Sequence, residues 1–383
     1  MNPLAHLPET LSCPHLVRSK LLPPQSPARQ EQRLTLLNRL ASRQPRKLVL
    51  VHAPAGFGKT TLLLQYLAAC RLARRRTLWL SLDSADNDLE RFVRHLHVGW
   101  NATEQPVAHA TGLIEQLALC TEPFSILLDD FEAIHAPDVL ALLQQLLEYL
   151  PAHGELVIST RQIPTLRLAT LRAHAQLLEI ARDDLCFSLE ETTRLLHARL
   201  SQPLSAQDIQ LLHARSEGWV AAIQLLTLSL PRHAGPAALL QHFSGSHSEL
   251  ANYLTEDILQ RLAPEHQAFL LASSVFEQFD AAACDWLLQR DDSQAMLDRL
   301  LRDNLFLVPL DSQGNTYRYH SLFVSYLRSQ SARQPGERHR ELQRRAAQWY
   351  VQQQRPIRAI DHLLLANEPA AALDLLEGHA QPL

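Results

Sequence analysis

No stretch of this sequence approaches 18 consecutive apolar residues, so no segment predicts a membrane-spanning helix. The start, MNPLAHLPETLSCPHLVRSK, has no long apolar run behind basic residues and does not read as a secretory leader. Cysteine is scarce and scattered: Cys13, Cys70, Cys120, Cys186 and Cys284 make no CxxC pair and are odd in number. That set fits reduced thiols better than a secreted disulfide framework, and together these absences predict a cytoplasmic protein. A strong charge excess is missing as well. The net charge of −4 argues against a chain-wide nucleic-acid surface, though not against a local one. Histidines are plentiful, but none falls in HExxH or another ligand spacing, so they predict no metal site of their own.

What is present is apolar residue in quantity, 46% of 383 residues, enough for large cores and about two to four domains. LVLV at 48–51 has the all-apolar character of a buried parallel strand. TLWLSL at 77–82, SILLDD at 125–130, LVIST at 156–160 and LLEI at 177–180 predict four more. Between them lie segments with helical spacing. Leu89, Phe92, Val93 and Leu96 are one set; Val139, Leu142, Leu143, Leu146, Leu147 and Leu150 are another, stopped by Pro151. Strands alternating with helices imply parallel βαβ units and a sheet covered on both faces.

After Phe187 the alternation stops and helical periodicity takes over, as in Trp219, Ala222, Ile223 and Leu226. LFLVPL at 305–310, the turn DSQGN and YRY at 317–319 predict a small hairpin, followed by the helix SLFVSYLRSQ. Helices followed by a hairpin suggest a winged-helix unit. Beyond Pro335, RRAAQWYV, IRAIDHLLL and AAALDLLE carry small residues at packing spacing, like the first units of a helical repeat array. The expected order is an N-terminal segment at 1–45, which contains the Pro-rich connector 21–30, a nucleotide-binding domain at 46–183, a helical domain at 184–247, a winged helix at 248–333 and a helical arm at 334–383.

Residues 53–60, APAGFGKT, match the phosphate-loop pattern G-x-x-x-x-G-K-[ST] with Ala53 in place of the first Gly. Gly56 and Gly58 let backbone N–H groups turn inward on phosphates, and the helix that begins near Lys59 adds its positive end. The nucleotide site is therefore expected to comprise Ala53, Pro54, Ala55, Gly56, Phe57, Gly58, Lys59, Thr60 and Thr61. Lys59 would pair with the β- and γ-phosphates, and the Thr60 hydroxyl would ligate Mg²⁺. ILLDD at 126–130 fits a metal-binding strand end, with Asp129 on the metal and Asp130 orienting an attacking water. The alternative is a pair of acids that cap the next segment. Arg161, which ends the fourth strand on the same sheet edge, could sense the γ-phosphate or merely pair with a surface acid. Lys59, Asp130 and Arg161 are the catalytic candidates. Arg71, Arg74, Arg75 and Arg76 read as a solvated helix end that complements the dipole.

Taken together, LVRSKLLPP, APAGFGKTTLL, WLSLDSADNDLERF, ILLDDFEAI, VISTRQIP, DLCFSLEET, SEGWVAAIQLL, LRDNLFLVPLD and YRYHSLF resemble the N-terminal part of the MalT-type transcriptional activators. These large ATP-binding LuxR-family regulators belong to the STAND class of P-loop ATPases, and the likeness runs from about Leu16 to the end. It implies an α/β P-loop NTPase domain followed by a helical domain, a winged-helix domain and the start of a helical-repeat arm. Inducer and DNA would be met only through C-terminal sensor and helix-turn-helix parts absent from these residues. The resemblance also implies that Arg33, within PARQEQRLTLL, lies near the nucleotide, and that His320, within YRYHSLF, contacts the ADP β-phosphate in a resting state. For His320 the alternative is a cap on the helix that starts near Ser321.

The reading that results is a switch controlled by ATP or ADP with Mg²⁺. ADP would hold a closed monomer, ATP with an inducer would favour self-association, and slow ATPase activity would reset it. A metabolic P-loop kinase or NTPase is the alternative, but it needs an acceptor-binding lid where this chain has switch-like domains. A scaffold with a degenerate loop is opposed by the intact Lys59, Thr60 and Asp129.

Overall fold

The computed structural model describes residues 16–25, 31–42, 44, 46–101, 110–200, 204–229, 244–245, 248–311, 315–333 and 336–379. Cys13, the second half of the Pro-rich connector, the middle of the DSQGN turn and Pro335 lie outside them. The chain divides into two compact units. The first comprises Met1–Ala53 and Gly58–Leu185, the second Pro54–Phe57 and Cys186–Leu383. Among the described residues no helix is long and apolar enough to cross a membrane.

The first unit is built on a five-stranded, all-parallel sheet: β1 Leu48–His52, β2 Arg76–Ser81, β3 Phe124–Asp129, β4 Gly154–Thr160 and β5 Leu177–Ile180. Their spatial order is β2-β3-β4-β1-β5. Leu48, Val49, Leu50 and Val51 are wholly buried, as a central strand covered on both faces requires. Each such side chain contributes roughly 1.5–3 kcal/mol by leaving water. β4 lies between β1 and β3, so the ends of all three share one rim. Among the helices, α1 is Leu34–Leu40, α2 Lys59–Leu72, α3 Leu89–Asn101, α4 Ala110–Ala118 and α5 Pro137–Tyr149. The heptad-like leucines of α5 are buried as their spacing predicts.

The N-terminal LVRSKL stretch is tied into this unit by a buried polar network. Lys20 donates to the fully buried Asp86 and lies 3.0 Å from Asp83, while the Val17 amide donates to His95 Nε2 at 3.2 Å. The basic cluster divides. Arg71 and Arg74 are exposed, as a solvated helix end would be. Arg75 instead donates to Ser125 Oγ at 2.7 Å and to the Phe124 carbonyl at 2.9 Å, and Arg76 lies 3.8 Å over the Trp100 ring. Both serve the sheet edge, because the strand that starts at Arg76 brings them against β3 and the carbonyls around it.

The second unit is helical apart from one hairpin. Helices Leu189–Arg199, Ala206–Ser216 and Val220–Ser229 come first, then Ser248–Asp257, Pro264–Ser273, Ala281–Leu288 and Ser293–Arg302. Strands Leu307–Pro309 and Tyr317–Tyr319 pair antiparallel and lead into the helix Ser321–Ser331, the helix-then-hairpin order of a winged helix. The last three helices, Gly336–Gln352, Pro356–Leu365 and Pro369–His379, bury small residues: Ala346 and Ala347 on the first, Ala359 on the second and Ala372 on the third.

Candidate nucleotide-binding site

The loop after β1 reaches α2 through Gly58, whose φ of +84° only glycine adopts without strain, and Lys59 opens the helix. In the first unit, Lys59 is buried and its Nζ donates to the Ala53 carbonyl at 2.9 Å. Desolvation pulls its ammonium down to about 8, with the Arg161 charge acting the same way, against the opposing pull of Glu132, Asp129 and Asp130. A lysine held in this condition gains from an incoming polyanion, which restores its favoured charged form.

Thr60, next in the helix, donates its hydroxyl to Asp129 Oδ1 at 3.2 Å. Ser159, at the end of β4, donates to the same oxygen. Asp129 is almost fully buried, and burial raises its carboxyl above the usual range despite those bonds. Asp130 follows in the left-handed region at φ +57°, which aspartate tolerates better than most residues. One side of it is open to solvent, yet partial desolvation, then the charges of Asp129 and Glu132, push it up to about 6.

Arg161 stands just past β4, and Glu132 grips it twice. Its backbone N–H donates to Glu132 Oε2 at 3.0 Å and its Nε lies 2.8 Å from Oε1. The sequence-predicted set Lys59, Thr60, Asp129, Asp130 and Arg161 thus gathers on one rim of the sheet, outside the carboxyl ends of its strands, where open parallel sheets hold ligands. Thr61 continues α2. Arg33 has a different setting. Its guanidinium donates to the carbonyls of Leu185 at 2.7 Å and Asp184 at 2.8 Å, closing the end of the short helix Arg182–Leu185.

Pro54, Ala55, Gly56 and Phe57, the apex of the same loop, belong to the second unit. There the Trp219 indole N–H donates to the Ala55 carbonyl at 3.1 Å, and the Ala221 N–H donates to the Gly56 carbonyl at 3.0 Å. Phe57 is buried 6.1 Å from the Trp219 ring and 6.0 Å from Phe306. His320 is buried beside them, 5.7 Å from Trp219. Its Nδ1 accepts from the Leu322 amide at 3.3 Å, capping the helix Ser321–Ser331, and its Nε2 donates to the Ser216 carbonyl at 3.1 Å. Both bonds together require the neutral tautomer protonated at Nε2.

Glu132, Ser159 and Trp219 were not singled out from the sequence. Each stands inside a quoted motif, ILLDDFEAI, VISTRQIP or SEGWVAAIQLL, but its role depends on which strands and loops are neighbours in space.

Residues 255–339 match the model of the MalT winged helix domain. The chain is 33% identical over 349 residues to the HTH-type transcriptional regulator MalT of Vibrio cholerae serotype O1, covering 86% of this chain and 38% of that protein. It is 31% identical over 384 residues to the regulator of the same name from Klebsiella pneumoniae, covering 95% and 42%. By sequence the chain is similar to the MalT-type regulators over most of its own length. It spans about two fifths of the length of these relatives. Among solved structures, a Walker-type ATPase of Pyrococcus abyssi superposes with a TM-score of 0.56 at 13% identity, over 78% of this chain and 96% of that one. That likeness shows the fold, a P-loop NTPase sheet with further helical parts.

Proposed function

We propose that this chain is the nucleotide-controlled switch module of a MalT-type transcriptional regulator, binding ATP or ADP with Mg²⁺. The observation that carries the reading is the convergence of Lys59, Thr60 and Asp129. Two elements far apart in sequence bring a buried ammonium, a hydroxyl and a buried carboxylate to one strand rim. Among the described residues no group of three or more His, Cys, Asp or Glu could hold a metal by itself. The donor set of one hydroxyl and one carboxylate suits Mg²⁺ brought with phosphates, which supply its other oxygens and whose charge it neutralises. Lys59 would hold the β- and γ-phosphates, Thr60 and Asp129 the metal, Asp130 the water, and Arg161 would answer to the γ-phosphate once released from Glu132.

In this reading ADP holds a closed monomer, ATP favours self-association, and slow hydrolysis returns the chain to rest. His320 would contact the ADP β-phosphate by giving up its bond to the Ser216 carbonyl. Support comes from its burial beside Trp219, which itself bonds the loop apex. Arg33 is proposed to shape the nucleotide's surroundings through the carbonyls of residues 184 and 185. Inducer and DNA would be engaged by parts of the longer relatives outside this chain, which would act in the cytoplasm.

The direct test is Lys59→Ala. A charge-assisted hydrogen bond contributes about 1.5–3 kcal/mol, so ATP–Mg²⁺ affinity should fall at least about tenfold. Wild-type affinity in a calorimetric titration of the variant would remove the phosphate-loop assignment.

A further inference from the structure

The backbone of the loop apex is oriented by its carbonyls. A trans peptide points its C=O and its N–H to opposite sides of the chain, and the described residues contain no cis bond. The Ala55 carbonyl shares its peptide plane with the Gly56 N–H, and the Gly56 carbonyl shares its plane with the Phe57 N–H. Holding those two carbonyls on one side therefore turns the Gly56 and Phe57 N–H groups to the other. Inward-turned amides of this kind are what a phosphate-binding loop offers an anion.

Within the second unit both carbonyls are held. Trp219 Nε1 donates to the first at 3.1 Å and Ala221 N to the second at 3.0 Å. Ala221 lies in the first turn of Val220–Ser229, so its N–H has no partner inside its own helix, and the Gly56 carbonyl supplies one. The indole is fully buried, with Phe306 at 4.9 Å, Phe57 at 6.1 Å and Tyr253 at 6.0 Å, and it cannot swing without repacking those rings. The approach is close enough to demand glycine. A Cβ on Gly56 would sit 2.5 Å from Ala221 Cβ and 2.9 Å from Trp219 Nε1, at a φ of +78°.

We propose that Trp219 is a positioning residue for phosphate binding: with the Ala221 N–H, its indole N–H sets the peptide planes that aim the Gly56 and Phe57 amides at a nucleoside di- or triphosphate. This rests on the nucleotide-binding reading above. It adds that the SEGWV segment, which touches no phosphate in this role, determines phosphate affinity.

Trp219→Phe keeps an aromatic ring in the cluster and removes the donor. In the full chain, titrated calorimetrically with ADP and with ATP–Mg²⁺, both affinities should fall about fivefold or more, the worth of one hydrogen bond. Phe279→Leu, a change at a buried ring that packs on Tyr317 and Tyr319, should lower the melting temperature and keep both affinities. Should Trp219→Phe not fold, benzothienylalanine at position 219 replaces the N–H by sulfur in a ring of the same shape, and the same loss is expected. Wild-type affinities in a folded chain that lacks the indole N–H would overturn the proposal, as would an equal affinity loss in Phe279→Leu. If the unmodified chain bound neither nucleotide, the nucleotide reading itself would fall. If it bound both and only the 219 variants were unaffected, that reading would stand without Trp219.

Discussion

The rim of the sheet in the first unit and the aromatic cluster in the second are built by different forces. On the rim, Lys59, Asp129, Asp130, Glu132 and Arg161 crowd together, and their settings are electrostatic: an ammonium pulled down, carboxyls pushed up, an arginine held by a glutamate. Around Trp219 the binding groups are mostly neutral and their settings are directional. An indole N–H, a helix-terminal N–H and a neutral imidazole each point along one bond, fixed by buried rings. A charged rim responds steeply to removal of a charge. A packed cluster responds to removal of a bond, in smaller steps, and its largest penalties are losses of stability rather than of chemistry.

The largest step should come from the rim. Asp130→Asn removes the charge proposed to orient water while leaving Asp129 for the metal, and ATP hydrolysis should slow by about a hundredfold with ATP still bound. Asp129→Asn should instead weaken the Mg²⁺-dependent part of binding. Because desolvation and the charges of Asp129 and Glu132 push Asp130 up to about 6, wild-type hydrolysis should decline as pH falls through about 6, as its working carboxylate form is protonated. Turnover assays at saturating ATP across that range check both. Unchanged rates in both variants would mean that the rim's charge crowding has no catalytic use.

A middle-sized effect separates the two regions more sharply. If His320 contacts ADP in only one state, His320→Ala changes differential affinity, at the low end of allosteric couplings about fivefold. ADP should then leave faster and exchange for ATP more readily. If it only caps the helix that starts at Ser321, its loss should cost about 1 kcal/mol of stability and leave the ADP-to-ATP preference alone. Release of a fluorescent ADP analogue, followed beside a melting curve, tells these apart. An unchanged off-rate with a lower melting temperature would confine His320 to the packing of its own unit.

How much could be read beforehand follows the same division. Lys59, Thr60, Asp129 and Asp130 were legible because phosphate and metal chemistry needs fixed residue types at fixed spacing, and strand runs such as LVLV and ILLDD place them at strand ends. The five strands were legible from apolar runs alone. Strand order was not: that β4 lies between β1 and β3 depends on pairings that local pattern does not encode, and Ser159 and Glu132 gain their roles only from it. α4 was missed for want of a strong pattern, and the segment before it, 102–109, is outside the described residues. Trp219 read as one more apolar residue in a helical segment, because an indole donor's target cannot be guessed 164 residues away. Arg75 and Arg76 looked like solvated ends until the sheet edge supplied ring and carbonyl partners.

The smallest expected effect probes a charge pair beside the cluster. Glu217 ends the helix Ala206–Ser216 at φ +48°, accepts from Arg318 at 3.0 and 3.1 Å, and accepts from the Ser321 amide at 2.9 Å. Burial pushes its carboxyl up, but the Arg318 hydrogen bonds and the Ser321 bonds outweigh it and hold the group down at about 2. A folded-state value below the unfolded one means stability that is fully present above about pH 4.5 and is lost as pH falls toward 2. Solvent reaches both partners, which are 33% and 23% exposed, so screening keeps the contribution to about 1 kcal/mol or less. Glu217→Gln should therefore melt a few degrees below wild type at neutral pH, and the gap should narrow below about pH 4.5 and close only toward pH 2, where the wild-type carboxylate protonates. A gap of the same size at both pH values would show that Glu217 contributes shape and hydrogen bonds rather than charge. A loss of ADP affinity at neutral pH, with the melting gap as expected, would extend charge control from the rim to the helix that His320 caps.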